Sequence, residues 1–253
     1  MLKIYIPTLG RVGKQRTYKN LSPKWRKRAI LVVPPEEATA HGDIPVLVTP
    51  KDIRGIGPTR QYILDTANTD KLVMLDDDLR FDTRRSDAPN KFVPSTPADV
   101  DAMFAKLDEV IGKAHPHGSI TAREGGNRYT TAFLHNTRML RALAYHVPTF
   151  RKHGFRYDRL PVMEDFDVTL QMLRAGLSNI VINNWVQGQN MSGADGGCST
   201  YRDMKMQAAG AMGLKKLHPD FVTVVEKTTK NAWGGATRLD VIIGWKKAYE
   251  SAA

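Results

Sequence analysis

Residues 72–78, LVMLDDD, join a short apolar segment to three consecutive aspartates. Four apolar residues in a row are typical of a buried β-strand, and the acidic triplet would lie in the loop that follows it. In an extended segment residues two apart point the same way, so Asp76 and Asp78 can hold one cation from one side. Their oxygens suit Mg²⁺ or Mn²⁺, ions that commonly accompany phosphates. The segment therefore predicts a metal–phosphate site, with an ordinary acidic turn as the alternative.

The sequence on either side of this segment predicts an α/β protein. Apolar stretches at residues 4–6, 29–33, 46–48 and 72–75 alternate with turns and helical patterns. This alternation favours a central, mostly parallel sheet flanked by helices, with ligands at the carboxyl ends of the strands. No internal repeat or long linker is visible, so we expect residues 1–253 to form one domain.

The later part of the chain mixes helical and strand patterns. We predict a loop over residues 82–97 and helices over residues 97–113, 137–145, 165–174 and 201–214. We predict strands near residues 119–123, 130–134, 180–182, 221–225 and 239–245.

The chain is strongly basic, with 37 lysines and arginines, 26 acidic residues and a formal net charge of +11. Such an excess favours a polyanionic partner, which would be nucleic acid, an acidic membrane surface or a phosphorylated substrate. The four tryptophans are expected to be core or interface residues, and Trp25, in the basic cluster 24–28, is the exception best placed to stack on a base. No apolar stretch is long enough to cross a membrane. The single cysteine, Cys198, allows no internal disulfide and fits a cytoplasmic protein.

A second acidic motif, VMEDFD at residues 162–167, precedes a predicted helix. The helix dipole favours ionised carboxylates at a helix N-terminus, and an ionised carboxylate in a pocket can accept a proton from an attacking hydroxyl. Glu164 and Asp165 are therefore candidate general bases. The alternative is helix-start chemistry alone, because acidic residues are common there.

Four residues near the predicted carboxyl edge are candidates to bind phosphate. Thr8, Arg11 and Arg16 follow the first strand, and Arg60 follows the glycine turn 55–57. Arginine suits phosphate because its planar group donates two parallel hydrogen bonds. The alternative for Arg60 is a position on the surface of its helix.

The order of these motifs resembles that of GT-A glycosyltransferases, in which a DxD motif closes the nucleotide-binding half and a Glu-Asp pair begins an acceptor-side helix. More closely, the chain resembles the TET-associated glycosyltransferases, which bacteriophages carry. The shared motifs are at residues 4–11, 59–61, 74–79, 163–167, 196–202 and 244–248. The resemblance implies a donor-nucleotide half at about 1–80 and an acceptor half at about 115–253.

The resemblance also implies a reaction and its residues. A nucleoside-diphosphate sugar, most commonly a UDP-sugar, would bind with Mn²⁺ or Mg²⁺ and give its sugar to a 5-hydroxymethylpyrimidine in double-stranded phage DNA, in the host cytoplasm. Asp165 would be the base, with Glu164 the second choice. The donor site would comprise Pro7, Thr8, Arg11, Arg60, Asp76, Asp77, Gly196, Gly197, Tyr201 and Arg202. The metal ligands would be Asp78, Asp76 and His218, and the alternative for His218 is that it only ends a helix together with Pro219.

Transfer is expected to invert the anomeric configuration, because Glu164-Asp165 fits a base and no second nucleophile is evident. Two other functions stay open at this level. One is a glycosyltransferase acting on a surface glycan or a small molecule, and the other is a basic DNA-binding protein without catalytic activity. No membrane partner is expected, and the sequence does not indicate an oligomeric state.

Overall fold

The computed structural model describes residues 1–189, 203–228 and 237–252. The strands in these ranges are β1 (Lys3–Pro7), β2 (Ala29–Val33), β3 (Val46–Val48), β4 (Lys71–Leu75), β5 (Arg80–Arg84), β6 (Phe92–Pro94), β7 (His117–Ala122), β8 (Phe133–His135), β9 (Ala142–His146), β10 (Asn179–Gly188), β11 (Val222–Thr228) and β12 (Thr237–Ile243). The helices are α1 (Arg16–Asn20), α2 (Pro23–Arg26), α3 (Ile56–Thr66), α4 (Pro97–Val110), α5 (Arg123–Gly126), α6 (Val147–His153), α7 (Glu164–Arg174), α8 (Met204–Leu217) and α9 (Trp245–Glu250).

A ten-stranded sheet forms the centre of this structure, in the order β3-β2-β1-β4-β9-β7-β10-β5-β6, with β8 paired to β10. Strands β1 to β4, β6, β7 and β10 run in one direction, and β5, β8 and β9 run in the other. The predicted α/β class with a mostly parallel sheet is therefore confirmed. The carboxyl ends of β1, β2, β4, β7 and β10 meet at one edge, which is where α/β sheets bind ligands.

Apolar cores cover both faces of the sheet. Alternate residues of a strand point to opposite faces, so Ile4 and Ile6 join one core and Tyr5 joins the other. The first core includes Trp25, which is 2% exposed and packs against Phe104 with 5.2 Å between ring centroids. Trp25 is therefore a core residue, as expected for most tryptophans, and the exception that would have it stack on a nucleic-acid base is wrong because its ring is inside the protein.

A third apolar cluster joins α7, α8 and α9 to the two-stranded sheet of β11 and β12. Leu170 and Leu173 of α7 pack there with Leu214 of α8 and Ala248 of α9. This cluster supports the helix that carries the second acidic motif. Among the residues described, no helix is both long enough and apolar enough to cross a membrane.

Two sequence-based element predictions are wrong. The helix expected over residues 137–145 does not form, and residues 142–145 belong to strand β9, which pairs antiparallel with β4 and places Tyr145 opposite Leu72. Pairing inside the sheet outweighs the modest helix propensity of this segment. The loop expected over residues 82–97 contains most of β5 and all of β6. The sequence did not indicate these strands because the segment is rich in polar residues and contains Pro94. A proline is tolerated there because β6 is an edge strand of the sheet.

Candidate active site

The aspartate triplet follows β4 at the carboxyl edge of the sheet, and Thr17 of α1 holds its backbone. The Thr17 hydroxyl donates to the Asp76 carbonyl oxygen at 2.5 Å and accepts from the Leu79 amide at 2.7 Å. The Thr17 amide donates to the Asp77 carbonyl oxygen at 3.0 Å. Sequence reasoning missed Thr17, because an isolated threonine at the start of a short helix carries no distinctive pattern.

Asp77 turns inward and is held by two residues of the loop after β1. The Thr8 hydroxyl donates to Asp77 Oδ2 at 2.7 Å, and Arg11 Nη1 donates to Asp77 Oδ1 at 2.5 Å. Burial raises the pKa of Asp77, and the hydrogen bond from Thr8 opposes that rise. Pro7, the last residue of β1, pairs with Val32 immediately before this loop. Thr8 and Arg11 therefore lie beside the acidic triplet, and both brace Asp77.

Asp76 and Asp78 fit the expected divalent cation. Asp76 Oδ1 contacts Arg60 and Asp78 Oδ2 contacts Arg11, while Asp76 Oδ2 and Asp78 Oδ1 have no partner among the described residues. No group of three His, Cys, Asp or Glu side chains forms a metal cage in the described part of the chain. Mg²⁺ and similar ions are commonly bound by one or two carboxylates together with substrate phosphates and water, so two open carboxylate oxygens are a sufficient protein contribution.

Arg60 joins the two acidic motifs. From α3, its Nη2 donates to Asp76 Oδ1 at 2.9 Å and its Nη1 donates to Glu164 Oε1 at 2.5 Å. The guanidinium also lies 5.8 Å from the ring centroid of Tyr157. Asp76 and Glu164 are far apart in sequence, so this contact brings the end of β4 and the start of α7 to one place. Tyr157 was missed, because nothing in its flanking sequence points to this contact.

The carboxylates around Arg60 have raised pKa values. Burial raises the pKa of Asp76 to about 6, against the opposing effect of Arg60. Burial, followed by the charge of Asp165, likewise raises the pKa of Glu164. Burial acts to lower the pKa of Arg60, but Glu164 and Asp76 outweigh it and keep the guanidinium charged. The Arg60 guanidinium is therefore a buried cation between the carboxylates of Asp76 and Glu164, and its removal would leave both carboxylates without a partner cation.

The carboxylates of Asp165 and Glu164 differ in exposure and in how many of their oxygens have a partner. Glu164 is buried and its carboxylate is bound to Arg60. Asp165 is partly exposed, and its Oδ1 accepts from the Phe166 amide at 2.9 Å, while Oδ2 has no partner among the described residues. Met163 precedes the pair in the left-handed region, with φ of 63°, a conformation that non-glycine residues rarely adopt. This backbone conformation is a local feature of the turn that begins α7.

Close packing between α3 and the segment before α7 makes the Arg60 contact possible. A Cβ atom at Gly57 would lie 2.9 Å from the Tyr157 carbonyl oxygen, so only glycine fits there without displacement. The Tyr157 amide donates to Gln61 Oε1 at 2.8 Å. Gly57 was read from the sequence as a turn residue, whereas in the structure it lies in the first turn of α3.

His218 lies on the other side of α7. Its Nε2 is 2.7 Å from Asp167 Oδ1 and its Nδ1 is 3.0 Å from Arg174 Nη1. Arg159 also donates two hydrogen bonds to Asp167, whose side chain is fully buried. Because both ring nitrogens of His218 face protein partners, neither is open to a cation in this arrangement. The predicted role of His218 as a metal ligand is therefore replaced by a structural role, in which its side chain connects α7 to the end of α8.

Arginines from several loops lie at the same edge of the sheet. Arg80 begins β5 beside the aspartate triplet and is exposed, and Arg123 follows β7. Arg141 pairs with Glu124 at 3.0 Å, and the guanidinium of Arg138 lies 4.8 Å from the ring centroid of Phe166. Sequence clusters did not reveal this basic rim, because its members come from separate loops. Gly196, Gly197, Tyr201 and Arg202, which were predicted to bind the donor, lie outside the described residues.

Solved structures of similar fold identify the class. Glucosyl-3-phosphoglycerate synthase from Mycobacterium tuberculosis, in complex with Mn²⁺, UDP and glucosyl-3-phosphoglycerate, matches with a TM-score of 0.52 and 13% identity, over 96% of this chain and 87% of that chain. A mycobacterial protein matches with a TM-score of 0.54 and 13% identity, over 96% of this chain and 83% of that chain. The fold is that of the GT-A glycosyltransferases.

The family follows from the sequence itself. The model of the TET-Associated Glycosyltransferase family matches residues 2–197, and the chain belongs to this family. No curated protein matches the sequence. S. aureus TarS 1-349 in complex with UDP-GlcNAc matches with a TM-score of 0.49 and 11% identity, over 85% of this chain and 66% of that chain. The chain thus spans slightly less than two thirds of the TarS fragment.

Proposed function

We propose that this protein transfers a sugar from a nucleoside-diphosphate sugar to the hydroxyl of a 5-hydroxymethylpyrimidine in double-stranded phage DNA. The observation that carries the proposal is the pair of contacts from Arg60 to Asp76 and Glu164. A transferase must hold its donor and activate its acceptor within one cleft, and this arginine brings the two acidic motifs together. A UDP-sugar is the proposed donor, since the mycobacterial enzyme of similar fold was solved with UDP.

The donor site is proposed at the loops after β1 and β4. Asp76 and Asp78 would hold Mn²⁺ or Mg²⁺, which neutralises charge on the departing diphosphate. Either ion is a suitable candidate, since the mycobacterial synthase was solved with UDP and Mn²⁺ or Mg²⁺. Thr8 and Arg11 keep Asp77 turned inward, so the adjacent carboxylates stay directed to the cleft.

Asp165 is the proposed general base. Its partly exposed carboxylate accepts the acceptor hydroxyl proton as that oxygen attacks the anomeric carbon. The bond from this carbon to the diphosphate breaks, so attack and departure occur on opposite faces and the configuration inverts. Glu164 is the weaker candidate because its carboxylate is buried against Arg60. A positioned base contributes about a hundredfold to ten-thousandfold to the rate.

The DNA acceptor is supported by charge and by the family. The basic rim at residues 80, 123, 138 and 141 lies at the edge that carries the acidic motifs, and arginine binds phosphodiesters through paired hydrogen bonds. The hydroxymethyl group replaces the thymine methyl, which lies in the major groove. An enzyme can reach it there, or after extruding the base at a cost of about a few kcal/mol.

Mass spectrometry of nucleosides tests the proposal. Duplex DNA with 5-hydroxymethylcytosine or 5-hydroxymethyluracil is incubated with the protein, Mn²⁺ and a panel of sugar nucleotides, and then digested. We expect a hexose mass added to a modified nucleoside and none added to unmodified DNA. Asp78→Ala should abolish transfer while leaving DNA affinity within about twofold, because it removes a donor-side carboxylate only.

Other outcomes separate the alternatives. Donor hydrolysis without transfer to either DNA would indicate a glycan or small-molecule acceptor. Absence of both hydrolysis and transfer, with DNA binding retained, would indicate a binding protein without catalytic activity. Full transfer by Asp78→Ala would contradict the assignment of the cation to this loop, and a retained anomeric coupling in the product NMR spectrum would contradict inversion.

A further inference from the structure

The segment that joins β8 to β9 contacts both acidic motifs. At the end of this segment, the Arg141 carbonyl oxygen accepts a hydrogen bond from the Asp76 amide at 2.9 Å. Three residues earlier, the Arg138 guanidinium lies 4.8 Å from the ring centroid of Phe166, in the first turn of α7. The segment therefore extends from the aspartate loop to the start of α7, and Arg138 lies at the α7 side of the cleft.

The backbone on either side of Arg138 is fixed. The Thr137 amide donates to Asn179 Oδ1 at 3.0 Å, and the Thr137 carbonyl oxygen accepts from Asn179 Nδ2 at 2.8 Å. Asn179 is itself buried, and Met139 is fully buried in the core on that face of the sheet. Arg138 is thus an exposed residue on a firmly held backbone, which is the arrangement that presents a side chain to a ligand with little loss of conformational freedom.

The charge of Arg138 is not paired within the described part of the chain. Its neighbour Arg141 pairs with Glu124 at 3.0 Å, whereas the contact that Arg138 makes there is with the aromatic ring of Phe166. A guanidinium that stacks on a ring uses one of its faces, and its N–H groups lie in the plane at its edge. These N–H groups are therefore available to an anion that enters the cleft.

The position of Arg138 indicates which anion this is. The donor diphosphate is proposed to lie with the cation of Asp76 and Asp78, at the other end of the segment, whereas Phe166 follows the proposed base directly. An anion on Arg138 is accordingly beside the acceptor. In DNA the 5-hydroxymethyl group lies in the major groove, on the same edge of the nucleotide as its own 5′ phosphate. A guanidinium binds such a phosphodiester through two parallel hydrogen bonds.

We propose that Arg138 binds the phosphodiester on the 5′ side of the reacting nucleotide and thereby positions the hydroxymethyl group of this nucleotide at Asp165. The inference rests on the proposed function and adds a requirement to it. The acceptor must carry negative charge at this one phosphate, so recognition of the hydroxymethylated base alone is not sufficient for efficient transfer.

Neutral backbone linkages test this requirement. One duplex carries a methylphosphonate, in which a methyl group replaces a charged oxygen, on the 5′ side of its single hydroxymethylated pyrimidine. A second duplex carries the same linkage beside a distant unmodified nucleotide, so the total charge of the two duplexes is equal. We expect the acceptor kcat/KM of the unaltered protein to be about tenfold lower, or less still, on the first duplex, because a charge-assisted pair of hydrogen bonds is lost.

Substitutions of Arg138 locate the contact. Arg138→Ala should remove the difference between the two duplexes, because the effects of deleting two groups that contact each other are not additive. Arg138→Lys keeps the charge without the paired hydrogen bonds and should retain part of the difference. Arg28→Ala is the matched control and should retain all of it, since Arg28 also lies over an aromatic ring, 5.1 Å from the centroid of Trp25, but just before β2 at the opposite edge of the sheet. Circular dichroism establishes that each variant is folded.

Three results would overturn the inference. The first is equal kcat/KM of the unaltered protein on the two duplexes, and the second is a difference that persists undiminished in Arg138→Ala. The third is a higher donor KM in Arg138→Ala with the acceptor kcat/KM unchanged, which would assign Arg138 to the donor diphosphate. Absence of transfer to a hydroxymethylated duplex with natural linkages would contradict the proposed function, and this inference with it.

Discussion

At the scale of single residues, Arg60 has the largest expected effect. Arg60→Met leaves the buried Glu164 and the partly buried Asp76 without a cation, which should destabilise the fold by about 3–5 kcal/mol. Urea unfolding measures the change. Arg54→Met is the control, because the Arg54–Glu36 pair is exposed on both sides and its loss should leave the stability nearly unchanged. Similar losses in the two variants would contradict the buried role of Arg60.

His117 should make stability depend on pH. It is fully buried, its Nδ1 donates to the Ala144 carbonyl oxygen at 3.0 Å, and burial lowers its pKa to about 4. Between pH 6.5 and about pH 4 the unfolded chain binds a proton there that the folded chain does not. The contribution of His117 to stability is therefore complete above pH 6.5, and about 3 kcal/mol of it is lost as the pH decreases through this window.

Unfolding free energies at several pH values test this expectation. His117→Phe keeps a ring against Tyr145, which is stacked at 4.4 Å, and should flatten the pH dependence whatever its absolute stability. His153→Phe is the control, since His153 is exposed, and it should leave the dependence unchanged. If His117→Phe retained the full slope, another group would be responsible.

At the scale of elements, the contact between α3 and the segment before α7 sets the geometry of the cleft. Gly57→Ala places a methyl group 2.9 Å from the Tyr157 carbonyl oxygen and must push the helix away. We expect a loss of about 1–3 kcal/mol in stability, and a lower transfer rate because Arg60 is carried away from Glu164. Thermal unfolding and the nucleoside assay measure both effects.

The matched control for this variant is Gly112→Ala. A Cβ atom at Gly112 meets no other atom within 4 Å, so this substitution changes glycine to alanine without a close contact. If both variants behaved alike, the tight approach at Gly57 would not be what positions Arg60.

At the scale of the whole molecule, the +11 charge and the basic rim should control DNA affinity. The logarithm of the binding constant should fall linearly with the logarithm of salt concentration, because each phosphate contact releases a counterion. Arg80→Ala should reduce this slope by about 1, since Arg80 is exposed at the proposed DNA-facing edge. Fluorescence anisotropy with duplex DNA at several salt concentrations measures the slope.

Lys27→Ala removes the same charge at the opposite edge, just before the start of β2, and should leave the slope unchanged. Equal changes of the salt slope in Arg80→Ala and Lys27→Ala would mean that DNA affinity depends only on the net charge of the protein. That result would count against a defined acceptor surface at the carboxyl edge.

Local patterns were sufficient for the α/β class, for the strand before Asp76 and for the helix at Glu164. A run of apolar residues marks a buried strand and acidic residues mark a helix start, and both signals are contained in a few neighbouring residues. The same signals failed for residues 137–145 and 82–97, where the pairing of β9 with β4 and of β5 with β10 decided the structure.

The family resemblance and the two acidic motifs could be read from the chain, but the contact between them could not. Tertiary structure alone brings Arg60 between Asp76 and Glu164, places Thr17 under the aspartate loop and engages both nitrogens of His218. The physical reason is that periodicity and composition report on neighbours along the chain. Which side chains share a charge or a hydrogen bond depends on how strands and helices pack across long sequence separations.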